Sequence, residues 1–404
     1  MRAAYDVVVA GGGAMGSATA FWLKTLSPKL KVAVVERDPT YKRASTGLSV
    51  GSFRQQFSLS ENIQLSMFSS KFLKHDLPSA LAINNGELVD ISLVEGGYLL
   101  LASNGGQGEA SMRESHREQM KHQAKVRLLT PPQLQEQFPW LNVEGLALGS
   151  HGYANEGWFD PYALLYAFKQ KCVQLGVEYM TDEVVGFDLG PGKIHHVQLK
   201  QRGRVGCGWV VHATGPWAAE TASLAGVLNF PVRPRKRAVF QFHCPSAPLR
   251  FPLTVDPTGM YFRSDGPANY FLCGMSPSLE EPDPDWDSKL DPELRVDDSL
   301  FYDRLWPLLA HRVPAFEQLK LKSSWAGLYE YNTLDQNSIC GPHPELSNLL
   351  FANGFSGHGI QQSPAVGLAL AELVVYNQYR TIDLTRLGYS RIAKHEPLWE
   401  RCIV

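Results

Sequence analysis

The chain has 404 residues, 44% of them hydrophobic and 19% charged, and a formal net charge of −2. That balance fits an ordinary globular protein of two domains and excludes a nucleic-acid footprint. Six cysteines (Cys172, Cys207, Cys244, Cys273, Cys340, Cys402) lack CxxC spacing, which argues against a metal site or a disulfide framework and fits a reducing compartment.

In chain order, YDVVVA reads as a buried strand over Tyr5–Ala10, GGGAMG as a glycine turn, and the next dozen residues as a helix. A second apolar strand ends at Glu36, which completes a βαβ unit with strands apolar throughout, as parallel strands are. A helical pattern runs from Ser60 to about His75, and NNGELVDISLVEGGYLLLAS then alternates like an antiparallel sheet. Residues 105–140 form a polar helical excursion broken at Pro131–Pro132. A helix follows Asp160–Pro161, and short strands (VEYMT, VVGFDL, IHHVQLK) lead to CGWVVHATG. Residues 231–324 are strand-rich and hold an acidic linker, SLEEPDPDWDSKLDPELRVDD. The basic run Arg233–Arg237 leads into the apolar AVFQF and reads as a solvated strand entry. The chain returns to an α/β pattern from WAGLYEY onward, with NLLFA as a strand and a helix from Pro364 to Tyr376 whose first turn accepts the proline. The implied architecture is α/β: a Rossmann-like nucleotide domain (1–85, 141–230 and 325–395), a mostly antiparallel insert (86–140 and 231–324), and a tail (396–404). No apolar run approaches the roughly 18 residues that span a bilayer. A core strand begins near residue 5, so either the protein acts where it is made or a targeting segment has been removed.

Three glycine turns carry the chemistry. Gly11-x-Gly13-x-x-Gly16 joins strand to helix, with Ala14 and Met15 opening the helix, and Glu36 lies 20 residues past Gly16. Gly11 permits the turn, Gly13 lets a diphosphate approach the backbone, Gly16 lets the helix pack, and Glu36, followed by Arg37, accepts from a ribose. The helix N-terminus offers N–H groups and positive potential to the phosphates. Small residues Ser45, Thr46, Gly47 and Ser49 then suit an extended cofactor such as FAD. The second turn is Ala213-Thr214-Gly215, with Trp217 beyond it; it approaches the same cofactor or is a plain strand-to-helix turn. The third is NGFSGHGIQQ, whose glycines Gly354, Gly357 and Gly359 bring backbone amides and a helix N-terminus to a flavin, where positive potential stabilises the reduced ring.

GGGAMG, VVERD, ASTG, VHATGPW and NGFSGHGIQQ, in that order, resemble the D-amino-acid-oxidase-like flavoproteins, among them sarcosine oxidase and dimethylglycine dehydrogenase, over essentially the whole chain. The longer stretches TGLSVGSFRQQFSLSENIQLSMFS, EGWFDP, WAGLYEYNTLDQN and GFSGHGIQQSP resemble a mitochondrial member of that group implicated in assembly of respiratory complex I. The resemblance implies a p-hydroxybenzoate-hydroxylase-like fold with FAD across the Rossmann domain and an antiparallel substrate domain. By position it places Ser45 and Thr46 at the middle of the cofactor and Val185 at the adenine. Gly357, His358, Gly359 and Ile360 fall at the flavin and ribityl, and Gly327 and Leu328 near the ring. It also implies a mitochondrial location and complex I subunits or assembly factors as partners.

Departures from the family matter as much. The flavin-attaching cysteine of sarcosine oxidases is missing from WAGLYEY, and Arg43-Ala44-Ser45 stands where dimethylglycine dehydrogenase has its attaching histidine, so FAD is expected to be non-covalent. The oxygen-activating lysine is missing from the strand around NYFLCG, which favours a dehydrogenase. Gln361 replaces a lysine that would hold a substrate carboxylate. Arg54 either binds a carboxylate as a fork or lies on a solvated loop. Tyr261, Arg263, Tyr329 and Tyr331 either face the flavin or pack in the core, and no metal-ligand cluster is expected. Two functions remain: an assembly factor for respiratory complex I with FAD in a structural or redox-sensing role, which Gln361 and the resemblance favour, and, as the alternative, a flavin dehydrogenase for an N-methyl amino acid or similar small amine.

Overall fold

The computed structural model describes residues 4–83, 86–248, 250–266, 268–278 and 281–402. The expected segment limits at residues 1, 85 and 404 lie outside these. β1 (Ala4–Ala10), α1 (Ala14–Leu26) and β2 (Val32–Glu36) form the βαβ unit. β1 pairs in parallel with β2 and with strand Gly203–His212. The latter pairs in parallel with Leu349–Asn353, and β2 with Glu178–Thr181. Val7, Val8 and Val9 are fully buried because both faces of this sheet are covered. The three glycine turns therefore leave the carboxyl ends of three parallel strands, at Ala10, His212 and Asn353, where open α/β sheets bind their ligands.

α1 and helix Gly359–Tyr376 cover the same face. They approach closely because a Cβ on Gly367 would lie 2.7 Å from the Ala18 carbonyl carbon. That helix starts five residues earlier than the sequence implies, so Pro364 stands inside it rather than in the first turn. Proline removes one N–H donor, and the Ser363 hydroxyl supplies a donor to the Ile360 carbonyl at 2.9 Å in its place. The Pro364 carbonyl accepts from Trp22 Nε1 at 2.8 Å, tying the two helices together.

The second sheet runs Lys320–Asn332, Val232–His243, Tyr270–Met275, Met260–Ser264, Leu253–Val255, Tyr98–Ser103, Leu146–Gly152 and Val126–Leu129. All its neighbours are antiparallel except Leu253–Val255 with Tyr98–Ser103. An aromatic core of Phe240, Phe242, Phe251, Phe262, Phe271 and Phe316 packs on it.

Several expectations need correction. Strand Lys320–Asn332 pairs along its length with Val232–His243, so no break falls between 324 and 325. Strand Leu146–Gly152 is bonded on both sides within the second sheet, so residues 141–152 belong there and not with the nucleotide domain. Residues 88–97 do not alternate as a strand: Val94 bridges Trp158, and Gly97 takes a left-handed φ of 82°. Pro131–Pro132 begins a helix, Pro131–Gln137, because the Thr130 capping box suits proline at its first turn, and strand Val126–Leu129 precedes it. Residues 300–312 are helical, their buried Phe301, Leu305 and Leu309 facing the aromatic core.

The basic run and the acidic segment prove to be one feature. Arg237 makes two 2.8 Å bonds to Asp283, Arg235 lies 3.1 Å from Asp285, and Lys236 lies 2.6 Å from Asp291. Residues 281–298 thus form a strap laid along strand Val232–His243 rather than a free linker.

Candidate active site

Two cavities meet above the carboxyl ends of the parallel strands. The larger, about 1400 Å³, is lined by Gly11, Gly13, Glu36, Arg37, Val185, Ala213, Thr214, Gly215 and Trp217. The smaller, about 200 Å³, is lined by Arg54, Tyr261, Gly327, Leu328, Tyr329, Gly357, His358, Gly359, Ile360 and Gln361. Ala14, Met15, Ser45 and Thr46 line both, so the two form one elongated trough.

Three residues expected at the cofactor line neither cavity. Gly16 packs where a Cβ would fall 1.9 Å from the Gly11 carbonyl oxygen, and Gly47 faces Tyr162. Gly354 donates its N–H to Glu330 Oε2 at 3.1 Å. These support the trough from behind. Arg263 and Tyr331 also lie outside the lining; Arg263 donates to the Val50 carbonyl and pairs with Asp265 at 3.1 Å.

At the larger end, Gly11 holds a φ of 101°, and a Cβ there would lie 2.2 Å from the Ala213 oxygen, so only glycine makes this turn. Gly13 precedes α1 without a side-chain cap, which leaves the helix N-terminus facing the trough; Thr46 Oγ1 accepts from Ala14 N at 3.2 Å. Glu36 accepts from Gly12 N and Asp38 N, both at 2.9 Å, and the Arg37 guanidinium lies 3.9 Å above the Trp217 ring.

At the smaller end, His358 is 2% exposed, and neither ring nitrogen has a hydrogen-bond partner among the described residues. Burial and then the Arg54 charge push its pKa down to about 3, so the ring is neutral. Two orphaned polar atoms beside a helix N-terminus fit a ligand that supplies their partners. Arg54 is 4% exposed, donates to the carbonyls of Gln56 and Cys402, and lies 4.0 Å over the Phe57 ring. It forms no carboxylate ion pair among the described residues. The Gln361 side-chain oxygen accepts from Arg54 N at 2.6 Å, and the Tyr329 hydroxyl donates to the Ser356 carbonyl.

The sequence reading missed Tyr98, Arg237 and Glu330 in the lining. Glu330 carried a signal: it is the lone acid in an otherwise apolar and aromatic run, WAGLYEY. Arg237 was hidden inside the basic run, and nothing local marks Tyr98.

The trough fits an extended flavin dinucleotide, with the glycine turn and the α1 N-terminus for its phosphates and the His358 turn for its ring. Residues 6–373 match the family model DAO, described as FAD dependent oxidoreductase. The chain is 44% identical to FAD-dependent oxidoreductase domain-containing protein 1 of Xenopus laevis, over 99% of this chain and 85% of that protein. It is 28% identical to a glycine oxidase of Geobacillus kaustophilus, over 96% and 97% of the two chains. The fold superposes on the crystal structure of L-proline dehydrogenase from P. horikoshii with a TM-score of 0.81, at 23% identity, covering 98% of this chain and 100% of that one. The cofactor is accordingly FAD, held non-covalently in a trough with no cysteine in its lining. The chain belongs to the DAO family of FAD-dependent oxidoreductases.

Proposed function

We propose that this protein oxidises a small amine bearing a carboxylate, such as an N-methyl amino acid, and passes the electrons to another protein. One observation carries the reading: Arg54 presents a buried positive charge, paired with no carboxylate among the described residues, to the smaller cavity. A buried guanidinium that donates to carbonyls and forms no carboxylate ion pair among the described residues favours an anionic guest with a fork geometry. FAD, when bound, would accept a hydride, the hydrogen with its electron pair, from the C–H bond next to the amine nitrogen, leaving a protonated imine. The chain's own part is positioning. Arg54 holds the carboxylate, the Phe57 ring under it fixes the guanidinium plane, and the aromatic wall of Tyr98, Tyr261 and Tyr329 excludes water. Strand Tyr270–Met275 has no lysine, which favours a protein acceptor over oxygen. The relatives named above as a glycine oxidase and an L-proline dehydrogenase act on small amino acids, in keeping with this substrate class. The test is anaerobic bleaching of the flavin band by a panel of N-methyl and cyclic amino acids. At least one should bleach wild type, and Arg54→Gln should need roughly a hundredfold more of it. A flavin that no amine bleaches sinks the reading.

A second reading rests on Gln361. Its oxygen is engaged by the Arg54 backbone, so the position that holds a substrate-binding lysine in sarcosine oxidases is spent on the cavity wall. This supports a role in assembly of mitochondrial respiratory complex I, with FAD structural. Co-purification of complex I subunits, undiminished by Arg54→Gln, is its expected outcome.

A further inference from the structure

Among the residues that line both cavities, Glu330 is the ionisable one. It lies on strand Lys320–Asn332, and the third glycine turn wraps its side chain and backbone. Gly354 N donates to Oε2 at 3.1 Å, the Phe355 N–H faces the carboxyl, and the Glu330 carbonyl accepts from Ser356 N at 3.1 Å. On the side of the second turn, a Cβ on Gly215 would lie 4.0 Å from Oε2.

Among the described residues it has no ion-pair partner, although Arg37, Arg43 and Lys289 also line the larger cavity. The arginines of the adjacent strand, Arg235 and Arg237, are committed to Asp283 and Asp285 of the strap. The residue paired with Glu330 in that strand is Pro234. Strand Ile339–Pro342 contributes the Cys340 thiol, and the helix after Gly215 contributes Glu220 to the same cavity, neither of them a cation. Partial burial with no neutralising charge among the described residues pushes the Glu330 carboxyl up to about 8, against the opposing pull of the Gly354 and Phe355 N–H groups.

The N-terminus of α1, where Thr46 Oγ1 holds the Ala14 N–H and Met15 lines both cavities, marks where a diphosphate rests, and Glu330 shares that junction. An ionised carboxylate there would face the cofactor's own negative charge in a desolvated cleft, whereas a carboxylic acid offers a donor. We infer that Glu330 works as a neutral acid whose O–H donates to an oxygen of the ribityl–diphosphate segment of FAD, so that deprotonation of Glu330 weakens cofactor binding.

The experiment dilutes the holoprotein and reads released FAD by its fluorescence, from about pH 6.5 to about pH 9.5. The dissociation constant of wild type should be level at the acid end and rise about tenfold per pH unit above the midpoint. Glu330→Gln keeps an N–H donor and cannot ionise, so its constant should stay near the low-pH wild-type value throughout. A level wild-type profile, or a Glu330→Gln profile with the wild-type slope, overturns the inference. Should Glu330→Gln fail to fold, calorimetry of FAD binding to wild type near pH 9 in two buffers of different ionisation heat decides: uptake of about one proton upholds it, and no uptake overturns it.

Discussion

Glu156 lines neither cavity, yet it supports the segment that carries Arg54. It is 0% exposed and accepts from Gln55 N at 2.6 Å and Gln56 Nε2 at 2.7 Å, the two residues that follow Arg54. Burial raises its pKa from 4.5 to about 8, against the opposing pull of those hydrogen bonds and of Arg54. The folded acid therefore keeps its proton up to about 8, while the unfolded one releases it near 4.5. Its stabilising contribution is complete below the lower value and is lost as the pH rises through the upper one, on the order of 4–5 kcal/mol in all. Glu156→Gln keeps an acceptor for Gln55 N but cannot ionise. Its melting temperature relative to wild type should climb as the pH goes from about 5 to about 8; parallel curves would refute the assignment. At this scale the sequence is only partly readable. It marks Arg54 and His358 by their motifs, but not that Arg54 forms no carboxylate ion pair among the described residues or that His358 is buried and neutral, because both follow from packing against residues far along the chain.

Helix Gly359–Tyr376 shows how one element can be read correctly in kind and wrongly in extent. Proline is common in a first turn and costly in a helix interior, so a start near Pro364 follows from local preference. Tertiary contacts override it: Gly359 packs on Phe355, where a Cβ would lie 2.9 Å from that side chain, and the Pro364 carbonyl holds Trp22. The Ser363 hydroxyl makes the early start tolerable by covering the Ile360 carbonyl. Ser363→Ala should therefore cost about 1 kcal/mol, as a partly buried carbonyl loses its donor. Pro364→Ala restores a backbone N–H to that carbonyl, so in this background Ser363→Ala should cost about 1 kcal/mol less. Denaturant titration of the four proteins measures the coupling, and strictly additive effects would show that the hydroxyl does not replace the missing amide.

The nucleotide-binding half of the molecule was readable across its discontinuous segments because each glycine turn follows an apolar strand, and that pattern is local. The second sheet was less so, since its limits depend on long-range pairing, as in Lys320–Asn332 with Val232–His243. The same holds for the strap, whose acidic residues and basic partners looked like two unrelated charge runs until the fold brought them together. Strap residues 285–290 form one wall of the larger cavity, so the ion pairs that hold the strap also hold that wall. Asp283, Asp285 and Asp291 are 24%, 50% and 21% exposed, in the range where added salt screens a pair. Each such pair contributes about 0.2–1 kcal/mol, so the three together are worth on the order of 1–2 kcal/mol. If the strap must lift for the cofactor to leave, FAD release should speed up about tenfold between low salt and about 1 M salt. Asp283→Asn combined with Asp285→Asn should release FAD faster at low salt and lose most of the salt dependence. Stopped-flow fluorescence measures both. A release rate equally salt-sensitive in the variant would mean that FAD leaves by the smaller cavity, with the strap still in place.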